Sequence, residues 1–454
     1  MDNRDYLIKP MLHKKYPIAV KGEGIYLYDL DGKKYIDGSS GAVTASIGHG
    51  LSEVIEAMTE QARKVSFTYR SQFTNEPAEE LAYELSTLCP GEINWSFFVG
   101  SGSEATETAM KIAIQHWQEQ GKSEKNHIIS RWMSYHGITL GALSMSGHLV
   151  RRERFEALLE NNPALSAPYA YRSLLPKEED KAVEWYVSEF KTEIQRIGKE
   201  RIAAFIAEPI VGASGAALVP PDGYFEAMKE VCKQHEILFI ADEVMTGFGR
   251  TGKMFAMEHW GVEPDIMVLG KGMSAGYTPI AAAAIADHVI TPILQGSGVV
   301  MAGHTYSANP LSAAVSLAVI RYIKKHQLAD RAAMSGRYLM KALENIQTNS
   351  LMIGDVRGRG LLIGVEFVAD RFTKTPFPEH AGITELVVDT AKQNGLLVYP
   401  ANAGEQGVGG AAIIIAPPLS ITQNEIDELI DVFQVTMNQV EQEVMKRGLF
   451  PSAM

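Results

Sequence analysis

Residues 237–252 read ILFIADEVMTGFGRTG: an apolar run leads straight into Asp242 and Glu243, then into a glycine-rich turn. An unbroken apolar run of this length is the pattern of a strand buried on both faces, as in a parallel sheet covered by helices. Two further runs repeat it. Ile202–Ala207 is apolar throughout and stops at Glu208, and Ile266–Leu269 stops at Gly270-Lys271-Gly272. Amphipathic helical segments alternate with these runs, so the middle of the chain is expected to be α/β with a mostly parallel central sheet. Ligands bind beyond the carboxyl ends of such strands. Endings at Glu208, Asp242 and Lys271 therefore point to one site with two acids and an amine.

Each ending brings its own chemistry. A carboxylate buried at a strand end needs a cationic or protonated partner, which Asp242 must find. A lysine leaving a buried strand between two glycines loses solvation; its pKa falls and the neutral amine becomes a nucleophile. The turn Gly100-Ser101-Gly102-Ser103-Glu104-Ala105 follows the apolar run Trp95–Val99 and opens a helix expected to reach Trp117. Its glycines let backbone approach an anion, Ser103 is expected to cap, and the helix dipole favours negative charge. Taken singly, these features have plainer explanations: a small-residue turn, an Asp capping a turn, a surface lysine. Together they supply the three contacts that pyridoxal phosphate requires, at the phosphate, the pyridine nitrogen and the aldehyde. Asp242 would keep the ring nitrogen protonated, and Lys271 would take the aldehyde and shuttle the substrate proton.

Composition narrows the partners. Lys plus Arg number 42 and Asp plus Glu 54 in 454 residues, a net charge of −12. That sign argues against nucleic acid and against an anionic membrane surface. Hydrophobic residues at 46% and charged residues at 21% fit a globular chain of two large domains. The two cysteines, Cys89 and Cys232, form no CxxC, so neither a disulfide scaffold nor a metal site is expected. The N-terminal MDNRDYLIKPMLHKKYP lacks the apolar core of a signal peptide. The longest apolar runs, Ile280–Ala286 and Ala411–Pro418, fall far short of the ~20 residues that span a bilayer. A cytoplasmic protein acting on small molecules is expected.

The flanks differ from the middle. Residues 21–37 (KGEGIYLYDLDGKKYID) alternate around Leu30-Asp31-Gly32-Lys33 and read as a hairpin or short meander. From about Arg331 a helix is followed by strands at Gly360–Phe367, Gly395–Val398 and Ala412–Ile415, then a helix from Thr422 to about Lys446 with a capping box at Glu425. The division expected is a large domain at 66–325 and a small α+β domain built from 1–65 and 326–454. Gly358-Arg359-Gly360-Leu361-Leu362-Ile363-Gly364 reads as a turn entering a strand rather than a dinucleotide loop. Arg151-Arg152-Glu153-Arg154 reads as a solvated helix face.

The run Leu238–Gly252, followed by Lys271, resembles the pattern of class III (ω-type) aminotransferases, which are fold type I pyridoxal-phosphate enzymes. The likeness extends from Gly24-Ile25-Tyr26-Leu27-Tyr28-Asp29 to Ala416-Pro417-Pro418-Leu419. It implies that Gly102 and Ser103 bind the cofactor phosphate, and that Tyr135, in Tyr135-His136-Gly137, stacks on one ring face with Val244 on the other. It places His136 in the cofactor-binding set and Glu208 in the polar floor. It implies a homodimer in which Thr305 reaches the phosphate of the neighbouring subunit; otherwise Thr305 would cap the helix beginning near Asn309. The activity implied is transfer of an amino group from an ω-amino acid or amine to pyruvate or 2-oxoglutarate. Many members grip a substrate carboxylate with an arginine at the end of the strand that reads Gly395-Leu396-Leu397-Val398-Tyr399-Pro400 here. Tyr399 departs from that pattern, and so from adenosylmethionine-8-amino-7-oxononanoate aminotransferase, which with a 4-aminobutyrate-type enzyme is the alternative. Tyr69-Arg70-Ser71-Gln72-Phe73 is expected to line the pocket, with Arg70 as a substitute cation. An aminomutase or decarboxylase would share Lys271 and Asp242.

Overall fold

Three sheets follow one another along the chain in the computed structural model, which describes residues 6–172, 178–404 and 409–450. The first five residues of the N-terminal stretch and the last four of 326–454 lie outside the described residues. β1 (Ala19–Glu23), β2 (Tyr26–Asp29) and β3 (Lys34–Ile36) form the expected antiparallel meander. The central sheet holds β4 (Ile93–Val99), β5 (His127–Arg131), β6 (Pro163–Leu165), β7 (Ile202–Ala207), β8 (Leu238–Asp242), β9 (Ile266–Leu269) and β10 (Ala281–Ala286). Its spatial order is β4-β10-β9-β8-β7-β5-β6. Neighbours from β9 to β6 pair parallel, and β10 alone runs antiparallel, to both β9 and β4. The last sheet, β11 (Ile353–Arg359), β12 (Leu362–Phe367), β13 (Tyr399–Ala403) and β14 (Gly410–Ile415), is antiparallel in the order β11-β12-β14-β13.

Burial on both faces explains the composition of the middle strands. β7, β8, β9 and β10 are buried at every residue. The helix Gly102–Gln118 packs on β10, β9 and β7, and Tyr224–Gln234 packs on β8. The alanine-rich β10 and the buried Ala105, Ala109 and Ala113 let helix and sheet approach closely.

The chain ends meet at the C-terminal sheet. Ile36 bridges Leu396, Tyr26 donates to Glu428 at 2.8 Å, and Lys34 pairs with Glu428 at 2.9 Å. The helix Ser52–Lys64 packs instead on Pro310–Lys325. A buried Arg250 links the middle of the chain to its C-terminal part, donating to the Leu361 carbonyl at 3.0 Å and the Pro417 carbonyl at 2.6 Å. The terminal helix Gln423–Lys446 carries the expected capping box between Thr422 and Glu425. Among the described residues no helix is long and apolar enough to cross a membrane.

Two expectations change. The strand expected at Gly395–Val398 begins only at Tyr399, so Tyr399 opens β13 instead of ending it. Pro400 then sits inside a strand, which its edge position tolerates because one side needs no ladder N–H. The basic cluster is a solvated face at Arg151, Glu153 and Arg154, which are exposed, but not at Arg152. Arg152 is buried, donating to the carbonyls of Leu143, Ser144 and Ser146 at 2.8–2.9 Å, which satisfies backbone groups left over by the short helix Leu140–Met145.

Gly364 of β12 lies against Ala216, where an added Cβ would strike the Ala216 carbonyl oxygen. Gly364→Ala is therefore expected to destabilise the protein by about 1–3 kcal/mol through overpacking, read as a lower denaturant midpoint at unchanged slope.

Candidate active site

Parallel pairing brings the strand endings together. Ala207 of β7 faces Ala241 of β8, so Glu208 and Asp242 leave neighbouring strands side by side. Asp242 faces Val268 of β9, and Lys271 follows just beyond. The endings open into a cavity of about 190 Å³ lined by Gly102, Ser103, Tyr135, His136, Gly137, Glu208, Ala213, Asp242, Val244, Met245 and Lys271.

Asp242 is buried with a defined set of partners. Its Oδ2 lies 2.7 Å from His136 Nδ1, and its Oδ1 accepts the Val244 N–H at 3.1 Å. Nε2 of the same histidine is buried and has no hydrogen-bond partner among the described residues. The Glu208 carboxylate accepts N–H groups from Tyr135 at 3.2 Å and Gly212 at 3.1 Å. Burial raises its pKa, and Asp242 adds to the rise while His136 opposes it. Lys271, half-buried at the cavity wall, has its pKa lowered to about 8 by desolvation, against the opposing pull of Asp242 and Glu208. Its backbone stands at φ +39°, a left-handed conformation that costs a non-glycine residue about 1–3 kcal/mol and is typical of functional sites. The surrounding strand ends hold it there. Glu243, next to Asp242, lines no wall of the cavity; it accepts the Met257 N–H at 2.8 Å and a bond from the Thr246 hydroxyl.

The anion cradle differs in one detail from its expected form. Ser101, not Ser103, caps the helix Gly102–Gln118: its backbone is extended and its side chain accepts the Glu104 N–H at 3.3 Å. Ser103 is already helical, and its Oγ faces the cavity wall, accepting the Ile138 N–H at 3.0 Å. A Cβ on Gly102 would come within 3.1 Å of Val244, so glycine keeps this wall open. The donor set fits pyridoxal phosphate, with free N–H groups at a helix N-terminus, a buried acid and an amine of lowered pKa.

Thr305, Tyr69, Arg70 and Tyr399 lie outside this cavity. Thr305 is exposed in a turn and shares a second cleft with Tyr69, Arg70, Gly100 and Glu104. Asn309 caps the following helix by accepting the Ser312 N–H at 3.0 Å, so Thr305 is not the cap. Arg70 does not reach the Lys271 cavity within one chain; its guanidinium donates to the Ala302 carbonyl and lies 4.9 Å from the Phe97 ring. Tyr399 lines a third cleft, of about 520 Å³, with Arg151, His148, Asn402 and Ala213. Arg151 stands 5.0 Å from the centre of the Tyr135 ring. No sequence spacing ties residue 151 to residue 399, and their meeting is visible only in three dimensions.

A family model described as aminotransferase class III matches residues 10–437. The uncharacterized aminotransferase YodT of Bacillus subtilis (strain 168) is 56% identical over 97% of this chain and 99% of its own length. The putrescine–pyruvate aminotransferase of Pseudomonas aeruginosa is 33% identical, covering 96% of this chain and 94% of that one. A PLP-bound amine transaminase from an uncultivated Pseudomonas species superposes with a TM-score of 0.91 at 31% identity, over 97% of this chain and 100% of that chain.

Only the neutral amine is nucleophilic, so modification of Lys271 in cofactor-free protein by an amine-selective reagent should rise with pH through a midpoint near 8. Peptide mapping of the modified protein across pH checks this; a midpoint near the ordinary lysine value would contradict the desolvated site.

Proposed function

The chain belongs to the class III aminotransferases, and on that footing we propose that it transfers an amino group from an amine or ω-amino acid to pyruvate or 2-oxoglutarate, using pyridoxal phosphate in the Lys271 cavity. The carrying observation is the meeting of Lys271, Asp242 and the N-terminus of the helix Gly102–Gln118 around one small cavity. When bound, pyridoxal phosphate supplies a carbonyl carbon for the amino group and a protonated ring that draws electrons from the bond being broken.

The chain's own groups divide the remaining work. Backbone N–H groups at Gly102 and Ser103 would hold the phosphate, where the helix dipole favours an anion. Tyr135 and Val244 line the cavity and would pack against the ring. The Asp242 carboxylate, oriented by His136 Nδ1 and the Val244 N–H, would hold a proton on the ring nitrogen by charge attraction. Lys271 Nζ, its pKa lowered to about 8 by desolvation, would take a proton from the substrate carbon and return it. Glu208 closes the polar floor.

Tyr399 supports an amine or ω-amino acid donor, since β13 opens with a neutral side chain where many relatives are expected to present an arginine. The name of the putrescine–pyruvate relative points the same way. A homodimer completes this reading. Thr305 lies in a turn where Val299, Met301 and Tyr306 are exposed, an apolar surface suited to a second copy that would receive Thr305 at its phosphate. The segregation of the sheets supports the division into a large domain, 66–325, and a small one from 1–65 and 326–454.

A panel of amines and ω-amino acids tested against pyruvate and 2-oxoglutarate should yield the aminated acceptor in step with loss of donor; decarboxylation or isomerisation without acceptor consumption would overturn the reading. Asp242→Asn removes the charge while nearly keeping shape, and kcat should fall roughly 10²–10³-fold. Borohydride reduction of the loaded protein should leave the pyridoxyl label on the Lys271 peptide. Thr305→Ala should sediment as a dimer but retain cofactor more weakly, with activity recovering as cofactor is raised; a fully active monomer would exclude the shared site.

A further inference from the structure

A keto acid brings a carboxylate to the cavity mouth on every cycle, and a carboxylate that loses its water needs a cation facing it. Lys271 is the one cation on the inner cavity's walls, and the proposed chemistry occupies it. Within one chain Arg70 is held away by the Ala302 carbonyl and the Phe97 ring, in the cleft it shares with Thr305. Arg250 and Arg152 are buried on backbone carbonyls. The 520 Å³ cleft adjoins the inner cavity at Ala213, a residue that lines both. Arg151 is the only cation among the described residues of that cleft.

We propose that Arg151 receives the substrate carboxylate, in the keto acid and in any carboxylate-bearing donor, taking the place that Tyr399 leaves uncharged at the start of β13. This rests on the aminotransferase reading and deepens it. The guanidinium lies over the ring of Tyr135, itself a wall of the inner cavity, 5.0 Å from the ring centre. Stacking on an aromatic face leaves the N–H edge of an arginine open to a planar carboxylate. Among the described residues Arg151 forms no ion pair, whereas its neighbour Arg152 spends its donors on carbonyls. The cleft's acids, Glu379 and Glu385, are exposed on its rim, where water screens them. Beside Arg151, His148 is kept neutral: burial, and then Arg151 itself, lower its pKa to about 4. Its Nε2 lies 3.3 Å from Asn402 Nδ2, so the polar wall next to Arg151 is uncharged.

The test uses enzyme loaded with pyridoxamine phosphate, followed by single-turnover absorbance against pyruvate, 2-oxoglutarate and propanal, the last an acceptor without a carboxylate. Arg151→Gln should raise the half-saturating concentration of the keto acids roughly 10- to 100-fold and leave that of propanal unchanged. Arg151→Lys should recover part of the loss. By calorimetry, butanoate should bind the wild-type enzyme and not Arg151→Gln. An equal loss for propanal and the keto acids would overturn the proposal, since it marks a role in holding Tyr135; an absence of any loss would overturn it as well. A wild-type enzyme that aminates no acceptor sinks the aminotransferase reading, and butanoate then decides Arg151 alone: binding lost in Arg151→Gln supports it, binding retained overturns it.

Discussion

Two carboxyl groups and an amine are withdrawn from water together at the carboxyl ends of the central strands, and that shared desolvation shapes the rest of the molecule. Asp242 sits at a buried strand end with His136 and the Val244 N–H meeting its two oxygens. Burial raises Glu208 and lowers Lys271, so the same loss of water moves an acid and a base toward each other. Parallel pairing is what imposes it. With Ala207 against Ala241 and Asp242 against Val268, Glu208, Asp242 and Lys271 come to line one cavity.

The scaffold around the cavity is stiff for a reason. Strands β7 to β10 are buried at every residue, and the alanines of β10 and of the helix Gly102–Gln118 bring that helix close to the sheet. Close packing holds the helix N-terminus in place, so the N–H groups at Gly102 and Ser103 are presented without reorganisation. The positive φ of Lys271 belongs to the same design, being strain that only a well-packed surround sustains.

Outside this rigid centre the clefts are built from parts distant in the chain. Arg151 follows the short helix Leu140–Met145, Tyr399 opens an edge strand of the last sheet, and Ala213 lies on the turn after β7 that joins their cleft to the inner cavity. Arg151 and Arg152 show how little adjacency implies. One turns inward to carbonyls and is structural, and the other turns to an aromatic ring and stays open to a ligand.

Read alone, the chain determines the strands that carry the chemistry, because a segment buried on both faces must be apolar over its length and an ionisable residue at its end stands out. Ile202–Ala207 and Ile266–Leu269 form strands over those same residues, and Glu208, Asp242 and Lys271 converge at their ends. Capping at Thr422 and Glu425 was legible for a similar reason, since both partners lie within one turn. Ser103 and Ser101 could not be told apart, because both stand in the same small-residue turn and only the backbone angles decide which one caps. Half-exposed pieces were harder still. Gly395–Val398 is as apolar as a strand, yet it makes only an isolated bridge, Leu396 to Ile36, and the continuous ladder begins at Tyr399. The separation of Arg70 from the Lys271 cavity, and the approach of Arg151 to it, follow from how loops fold back over the sheet. Local sequence carries no record of that, because contacts between residues hundreds of positions apart are set by packing and not by spacing.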